Sequence, residues 1–298
     1  MSAPTSEPTF AEVPLLEERT AYADALARAL RDPLGALGAT LVLLFVLSAA
    51  LAPWIAPYDP NALDVPARLQ GPSLAHLLGT DNLGRDVFSR VLYGGRIALG
   101  VALTAVGLSL VTGTLLGLIA GYGPRWLDNL LLLLFDAVRA FPVIMFALAV
   151  ITVVGPSLQT VILVVVVTTI PAYARIVRTQ TLSLRHTEFI LAERSLGAGA
   201  PRVLLVHILP NVIGPLMILA SMEIPVVITI EAGLSFLGLG VRPPTPSWGN
   251  ILNDGYAFIR NTPWLVIAAG IPLVLSTLGF TFLGETLRDV FDPRLRRD

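Results

Sequence analysis

The chain has no cysteine and no lysine, and it has few charged residues of any kind. The absence of cysteine excludes a disulfide framework and any metal site built on thiolates. The absence of lysine excludes a nucleotide-binding phosphate loop, because that motif needs a Gly-Lys pair followed by Ser or Thr. Charged residues make up only 14% of the 298 residues, against roughly a quarter in a typical soluble domain. With a net charge of −1, the composition gives no reason to expect nucleic-acid binding.

Apolar residues dominate what is present. They make up 54% of the chain, and the mean hydropathy is +0.75. A membrane-spanning helix needs roughly 20 mostly apolar residues. We therefore predict an all-α integral membrane protein with about six transmembrane helices. The candidate spans are residues 34–55, 97–121, 130–154, 158–174, 212–239 and 263–283.

Arginine is unevenly distributed between the two sides of this topology. With the N-terminus inside, thirteen arginines fall in inside segments and six in outside segments. Positive residues accumulate on the cytoplasmic side of membrane proteins, so both termini are expected in the cytoplasm. Residues 1–18 contain glutamates but no basic residue, which argues against a signal peptide there. Loose helical spacing in 15–31 predicts a short interfacial helix.

These features divide the chain into five parts. The predicted parts are a cytoplasmic N-terminal segment with an interfacial helix (1–33), a first transmembrane helix (34–57), an extracytoplasmic loop (58–96), a core of five transmembrane helices (97–286) and a cytoplasmic tail (287–298). The core contains a polar cytoplasmic loop at 185–210 between its spans.

That polar loop contains the stretch ILAERSLGAGAPRVLLVHILPN at 190–211. The part before Leu196 has no glycine or proline and can be helical. Gly197 and Gly199 supply a flexible turn, since glycine tolerates left-handed backbone angles. Pro201 suits the first turn of a following helix, and Pro210 precedes the fifth span. The segment therefore predicts a helix, a tight turn and a second helix, which is either a protrusion offered to a partner or an ordinary polar loop.

Four ionisable residues fall inside predicted spans, where charge is expensive and usually faces a cavity or a partner. Asp136 and Arg139 are three residues apart and so share a helical face. They either line a polar path or form a buried structural bridge. Glu223 and Glu231 share a face two turns apart, and they either meet a cationic group of a substrate or pair with arginines of a partner chain. Pro225 between them favours a helix that lines a cavity.

Two further patterns involve packing and the outer loop. Span two carries Gly113, Gly117 and Gly121 at four-residue spacing, which predicts close helix–helix contact within the chain or with a partner. The outer stretch GTDNLGRDVFSRVLYGGR begins at residue 79. Its charged residues can pair locally or contact a partner on the outside; they are Asp81, Arg85, Asp86 and Arg90.

The 190–211 stretch resembles the "EAA" loop of ABC importer permeases. The resemblance rests on Ala192-Glu193-Arg194, then Gly197, then Leu209-Pro210 twelve residues after that glycine. The pattern is degraded, because Leu191 stands at its first position, Glu193 at its third, and His207 where the family has isoleucine. Other stretches in the same order resemble the "C" subunit of the dipeptide/oligopeptide/nickel permease family, from about residue 30 to the C-terminus. They are HLLGTDNLGRDVFSRVLYGGRIAL, GLIAGYGPRWLDN, GLSFLGLGVRPPTPSWGNIL and LRDVFDPRL.

The resemblance implies a type I ABC importer permease fold in the bacterial cytoplasmic (inner) membrane. It implies a homologous second permease, two cytoplasmic ATPase subunits that bind ATP and Mg, and an extracytoplasmic binding protein that meets the outer loops. This chain would be non-catalytic, with no metal or cofactor of its own. The ATPase contact would lie in the EAA-like loop, with residues Glu188, Ala192, Glu193, Arg194, Gly197, Leu209 and Pro210.

The transported solute is the least determined part of this prediction. The branch carries di- and oligopeptides, nickel, glutathione and other small solutes. We expect a peptide, because charged peptide termini could meet polar residues of the path. An ion-coupled secondary carrier using Glu223 and Glu231 is the alternative class, although it leaves the EAA-like loop unexplained. An intramembrane enzyme is disfavoured, since all three histidines fall in predicted loops.

Overall fold

The structure is a computed structural model that describes residues 32–260 and 262–291. Within this part of the chain the regular structure is helical, and the only extended pairing is an isolated bridge between Thr80 and Asp86. The expected interfacial helix in 15–31 and most of the expected tail lie outside the described residues. The helices are α1 (Pro33–Ile55), α2 (Val87–Tyr122), α3 (Arg125–Arg139), α4 (Val143–Val154), α5 (Leu158–Leu184), α6 (Glu188–Ser195), α7 (Ala200–Phe236), α8 (Trp248–Ala257) and α9 (Trp264–Phe291).

Five of these helices are long and apolar enough to cross a membrane, and a sixth span results if α3 and α4 count together. The prediction of an all-α protein with about six transmembrane helices is therefore confirmed. The third expected span is not one straight helix, however, because α3 and α4 meet at 90°. Pro142 has no amide hydrogen and disfavours helical backbone in the residue before it. Helix α3 accordingly ends at Arg139, and the chain becomes helical again at Val143.

Two other spans are longer than their apolar stretches indicate. Helix α2 begins at Val87 and not near residue 97, because the Asp86 carboxylate accepts a hydrogen bond from the Ser89 amide at 2.8 Å and caps the helix. The outer loop is shorter than the expected 58–96 for the same reason. Helix α7 begins at Ala200 and continues past Pro210 into the fifth span, with a π-helical stretch at Val203–Ile208. The polar loop is thus continuous with a membrane helix.

Three glycines at four-residue spacing bring α2 into close contact with α5. A Cβ on Gly113 would lie 2.5 Å from the Tyr173 Cβ, and one on Gly117 would lie 2.5 Å from the Ala174 carbonyl oxygen. A Cβ on Gly121 would lie 2.6 Å from that of Thr181. No side chain fits at such separations, so the backbones themselves are in contact. The close packing predicted for this spacing is confirmed, and it lies within the chain.

The main apolar core lies between α2, α5 and α7, with α1 and α9 packed along one side. Helix α8 lies across the end of the bundle from which α2 begins. Its Trp248 is 1% exposed and donates a hydrogen bond from the indole to the Val91 carbonyl at 2.9 Å. The same ring contacts Phe45 of α1 at a centroid distance of 5.4 Å. Trp248 therefore joins α1, α2 and α8 at this end.

The connections fall at two opposite ends of the bundle. At the first end, the 56–86 segment meets the 237–260 segment through Arg85 and Asp254, whose side chains are 3.5 Å apart. At the second end, Arg185 after α5 donates to the Gly121 carbonyl of α2 at 2.9 Å. Thr286 of α9 lies 3.5 Å from Asp32 before α1 at this second end. Helix α6 belongs to the second end, since it directly follows α5.

The contact of Gly113, Gly117 and Gly121 with α5, which we call the glycine seam, generates a stability prediction. We expect Gly117→Ala to lower the free energy of unfolding by about 1–3 kcal/mol, because even one methyl group forces α2 and α5 apart. Gly100→Ala is the matched control in the same helix, since a Cβ there meets nothing within 4 Å. That control should be neutral or slightly stabilising, because alanine favours helix. Thermal unfolding of the detergent-purified protein measures both, and equal melting temperatures would contradict close packing at Gly117.

Candidate functional site

The 188–199 segment forms the helix and turn that the sequence predicts. Helix α6 ends in a hydrogen-bonded turn in which the Ala198 amide donates to the Glu193 carbonyl and the Gly197 amide to the Arg194 carbonyl, each at 3.0 Å. Gly197 has a φ of +92°, which glycine adopts without strain. This is the Schellman arrangement that closes many helices. Gly199, with a φ of −72°, then caps the start of α7.

One side of this segment is anchored in the protein. Ile190 of α6 is fully buried, and it belongs to the same core as Val203 and Ile208 of α7. The Glu193 carboxylate lies 3.5 Å from Nε2 of His207 in the π-helical stretch, so these side chains face each other across the turn. Apolar burial and this polar contact together fix the direction in which α6 projects.

The other side of α6 is open. Large apolar side chains are exposed at Phe189 (46%), Leu191 (46%) and Leu196 (85%). Glu188, Ala192 and Arg194 are also exposed. Large apolar side chains on a short polar helix outside a membrane bundle mark an interaction surface. Of the remaining predicted loop residues, Leu209 is half-buried and Pro210 exposed on α7, beyond the turn.

Asp136 and Arg139 are not a mutual pair in the structure. The Asp136 carboxylate instead accepts a hydrogen bond from Arg175 of α5. Arg139 lies within Coulombic range of Glu223 on α7, which in turn lies near the Tyr173 hydroxyl. Glu223 is partly exposed. A cation from α3 and a phenol from α5 therefore both lie within electrostatic range of one carboxylate on α7.

Glu231 has a different environment from Glu223. It is fully buried, and its Oε1 accepts hydrogen bonds from Ser235 at 2.8 Å and from Ser247 at 3.0 Å. Ser247 also caps α8, because its hydroxyl accepts from the Gly249 amide at 3.2 Å. Glu231 is thus a structural link between α7 and α8. The burial of Glu231 gives no support to the prediction that it lines a path, since no part of its side chain reaches a surface of the described residues.

The four charged residues of the outer stretch are also buried, each 5% exposed or less. Asp81 binds Arg85 at 2.6 Å, and its carboxylate lies 3.4 Å from the Arg90 guanidinium. Arg90 also donates to the Pro60 carbonyl at 3.0 Å. Arg85 approaches Asp254 of α8, where burial raises the pKa of the carboxyl and the arginine partly offsets that rise. The network ties the outer loop to α2 and α8.

Asp86 completes this outer network. Besides capping α2, its carboxylate lies 2.9 Å from Nδ1 of His76 and accepts a hydrogen bond from the Ser89 hydroxyl at 2.7 Å. His76 stacks on Tyr58 at a centroid distance of 5.0 Å. Of the two alternatives for Asp81, Arg85, Asp86 and Arg90, local pairing is the one that these contacts support. Their burial gives no support to direct contact with a binding protein.

Several residues that organise these sites are not distinguished by sequence spacing. Asp128 at the start of α3 accepts two hydrogen bonds from Arg178 of α5, at 2.5 and 2.7 Å. Arg175 likewise finds its partner on another helix, and Asp254 finds its partner, Arg85, in the outer loop. Their only sequence signal is a charge beside an apolar run. That signal shows that a partner is needed but not which one.

Comparison with known proteins agrees with this architecture. Residues 113–297 match the family described as "Binding-protein-dependent transport system inner membrane component", and residues 20–72 match the "N-terminal TM domain of oligopeptide transport permease C". The chain is 39% identical to a "Dipeptide transport system permease protein DppC" of Alkalihalophilus pseudofirmus, over 92% of this chain and 90% of that protein. It is 42% identical to a "Glutathione transport system permease protein GsiD" of an Escherichia coli strain, over 93% and 92% of the two chains.

A solved structure supports the fold independently. The inward-facing methionine ABC transporter MetNI has a chain that superposes with a TM-score of 0.55 at 19% identity, covering 68% of this chain and 97% of that one. The structure therefore combines a bundle of long apolar helices with a polar helix-and-turn at one end, and the family matches identify it as an integral membrane transport subunit. The chain belongs to the binding-protein-dependent transport system inner membrane component family, and it is a permease subunit of an ABC importer with the type I fold.

The outer network generates a second prediction. We expect Asp81→Asn to lower the free energy of unfolding by about 3–5 kcal/mol, because it leaves two buried arginines without their shared carboxylate. Asp64→Asn is the control in the same loop, where the side chain is exposed and should tolerate the change. Thermal unfolding in detergent distinguishes the two variants. A wild-type melting temperature for Asp81→Asn would mean that the network does not stabilise the outer end.

Proposed function

We propose that the chain forms, with a homologous second permease, the membrane path for peptides delivered by an extracytoplasmic binding protein. Two separate ATPase subunits would bind ATP and Mg and drive transport, and this chain would be non-catalytic. The single observation that carries the proposal is α6. It is a short helix, closed by a turn at Gly197 and anchored through Ile190, that exposes large apolar side chains.

Helix α6 suits the role of ATPase contact for mechanical reasons. Because Ile190 and the Glu193–His207 contact fix its direction, a push on the exposed side is transmitted to the base of α7. Helix α7 is continuous from there into the membrane. Phe189, Leu191 and Leu196 can enter an apolar groove of the ATPase, while Glu188 and Arg194 can form ion pairs at its rim. These residues support the coupling assignment made from the EAA-like pattern.

The polar region around Glu223 is the best candidate for the transport path. Glu223 is partly exposed and Arg139 is exposed, so both can meet a solute or the partner permease. Asp136 and Arg175 form an exposed pair nearby on the α3–α5 side. Ionisable groups that stay accessible inside a bundle usually face water. The charged termini of a zwitterionic peptide could form ion pairs with such groups in turn as the peptide passes.

A peptide is the best supported solute. Relatives of this chain are named for dipeptide, di/tripeptide and glutathione transport, and all of these solutes contain peptide bonds. Glutathione remains the closest alternative, followed by nickel or another small solute carried by the same machinery. A secondary carrier that uses Glu223 and Glu231 loses support, because Glu231 is sealed within the protein. Uptake of labelled dipeptide, competed by glutathione or by nickel, distinguishes these solutes.

We place the subunit in the bacterial inner membrane with both termini and α6 in the cytoplasm. The excess of arginine on that side supports this orientation. Purification of the complex from detergent-solubilised native membrane, with mass spectrometry of the chains that accompany it, tests the assembly. A second permease and ATPases with phosphate-loop motifs should be recovered. Recovery of this chain alone, still active in uptake without ATP, would refute the assembly.

The turn at Gly197 provides a coupling prediction. Gly197→Val should abolish peptide uptake while ATP hydrolysis continues, because a β-branched residue cannot adopt a φ of +92° without strain, and α6 would lose its direction. Gly199→Val is the matched control two residues away, where φ is −72° and should permit uptake. Uptake and ATPase activity are measured together in proteoliposomes. Wild-type uptake by Gly197→Val would show that the turn does not couple the two activities.

The two glutamates of α7 allow a residue proposed to line the transport path to be compared with a buried structural residue. Glu223→Gln should reduce peptide uptake about tenfold or more while assembly and melting temperature stay unchanged, since it removes an accessible charge from the path. Glu231→Gln should lower the melting temperature instead, because the buried carboxylate accepts two hydroxyl hydrogen bonds. The measurements are uptake, co-purification and thermal unfolding. Loss of assembly in Glu223→Gln would favour a structural role for that residue.

A further inference from the structure

We propose that the protein binds the phosphodiester headgroup of an anionic membrane lipid in a basic cavity between α2, α3 and α5. The cavity has a volume of about 520 Å³, within the roughly 300–1,000 Å³ typical of small-molecule sites. Most of its lining side chains are charged or polar. They are Ala120, Gly123, Arg125, Asp128, Asn129, Arg178, Leu182 and Arg185.

The charges in the basic cavity do not balance. Arg178 is neutralised by Asp128, which accepts both of its hydrogen bonds. Arg185 donates hydrogen bonds to the Gly121 carbonyl and to a ring nitrogen of His186, and neither acceptor carries a negative charge. Among the described residues, neither Arg125 nor Arg185 has a carboxylate within 4.0 Å. Of the three guanidinium groups that line the cavity, two therefore lack a carboxylate partner among the described residues, and the one lining carboxylate is already paired. A bound anion would balance this charge.

The depth of the basic cavity matches the lipid headgroups. Arg178 is 20 residues beyond Leu158, at the start of α5. At 1.5 Å per residue this is about 30 Å, the thickness of the hydrocarbon core. Trp126 beside the cavity is 66% exposed, and tryptophan is enriched where hydrocarbon meets headgroups. If Leu158 lies at one face of the hydrocarbon core, the arginines lie at the depth of the lipid phosphates on the other face. That face is the cytoplasmic one, where anionic lipids concentrate, in the topology of the proposed function, on which this step rests.

The donor geometry favours a phosphodiester over a neutral or bulkier ligand. Guanidinium groups bind phosphate oxygens through paired hydrogen bonds, and Asn129 adds an uncharged donor. Asp128 would repel a ligand of high negative charge. A phosphodiester carries a single negative charge, delocalised over two oxygens, which the arginines without a carboxylate partner can bind. The acyl chains can leave the cavity along the exposed apolar residues of α3, such as Leu130 and Leu133. Phosphatidylglycerol has these properties.

Native mass spectrometry of the intact complex in detergent tests the proposal. Phosphatidylglycerol and phosphatidylcholine are added at equal concentrations. The wild type should retain at least about tenfold more phosphatidylglycerol than phosphatidylcholine. Arg125→Gln combined with Arg185→Gln should abolish that preference, since each charge-assisted contact contributes about tenfold. Arg125→Gln alone should weaken it several-fold. Its exposed side chain makes no hydrogen bond among the described residues, so the single variant should fold even if the double variant does not.

The control is Arg288→Gln, an exposed arginine near the end of α9, outside the cavity, which should retain the wild-type preference. Equal retention of both lipids, or an unchanged preference in Arg125→Gln, would overturn the proposal. Displacement of the lipid by an equal concentration of inorganic phosphate would reassign the cavity to a soluble anion. A photo-crosslinker at Trp126 that captures an ATPase subunit and no lipid would reassign it to a protein contact. The readouts are independent of transport activity, so a failure of the lipid proposal can be distinguished from a failure of the proposed function.

Discussion

The contact between α2 and α5 is the constraint on which the rest of the structure depends. Three glycines on α2 bring the two backbones together over about two helical turns, and Gly117 would place a Cβ 2.5 Å from a carbonyl oxygen of α5. Lipid does not drive helices together as water does, so close van der Waals packing of this kind contributes much of the association. The seam fixes the register and rotation of α5 relative to α2. Every contact at the ends of the two helices then follows from that register.

Charged side chains are buried at one end of the α2–α5 pair and exposed at the other. At the outer end, Asp81, Arg85 and Arg90 are buried and pair with one another, with Asp254 of α8 as a fourth member. At the other end, charges remain exposed on α6 and border the basic cavity. A buried, satisfied network holds a scaffold in one arrangement. Exposed charge and exposed apolar side chains are available to partners, and for this reason we propose this end as the ATPase contact.

Helix α7 connects these two regions. Its base contacts α6 through Ile190 and His207, and its outer half contacts α8 through Glu231. A displacement of α6 can therefore reach the outer end through one continuous helix. The π-helical stretch at Val203–Ile208 and the prolines within α7 are sites where such a helix can bend. Glu223 lies between the two contacts, beside the polar region that we assign to the path.

The sequence by itself determined the helical class, the approximate number of spans, the close packing at Gly117 and the turn at Gly197. These features depend on periodicity, hydropathy and local backbone preference, which are properties of neighbouring residues. Only the tertiary structure decided that Asp136 pairs with Arg175, that Glu231 is sealed while Glu223 is accessible, and that the outer charges pair among themselves. Residues far apart in sequence meet according to the rotation and register of whole helices. One sequence pattern is compatible with several such arrangements, and packing selects among them.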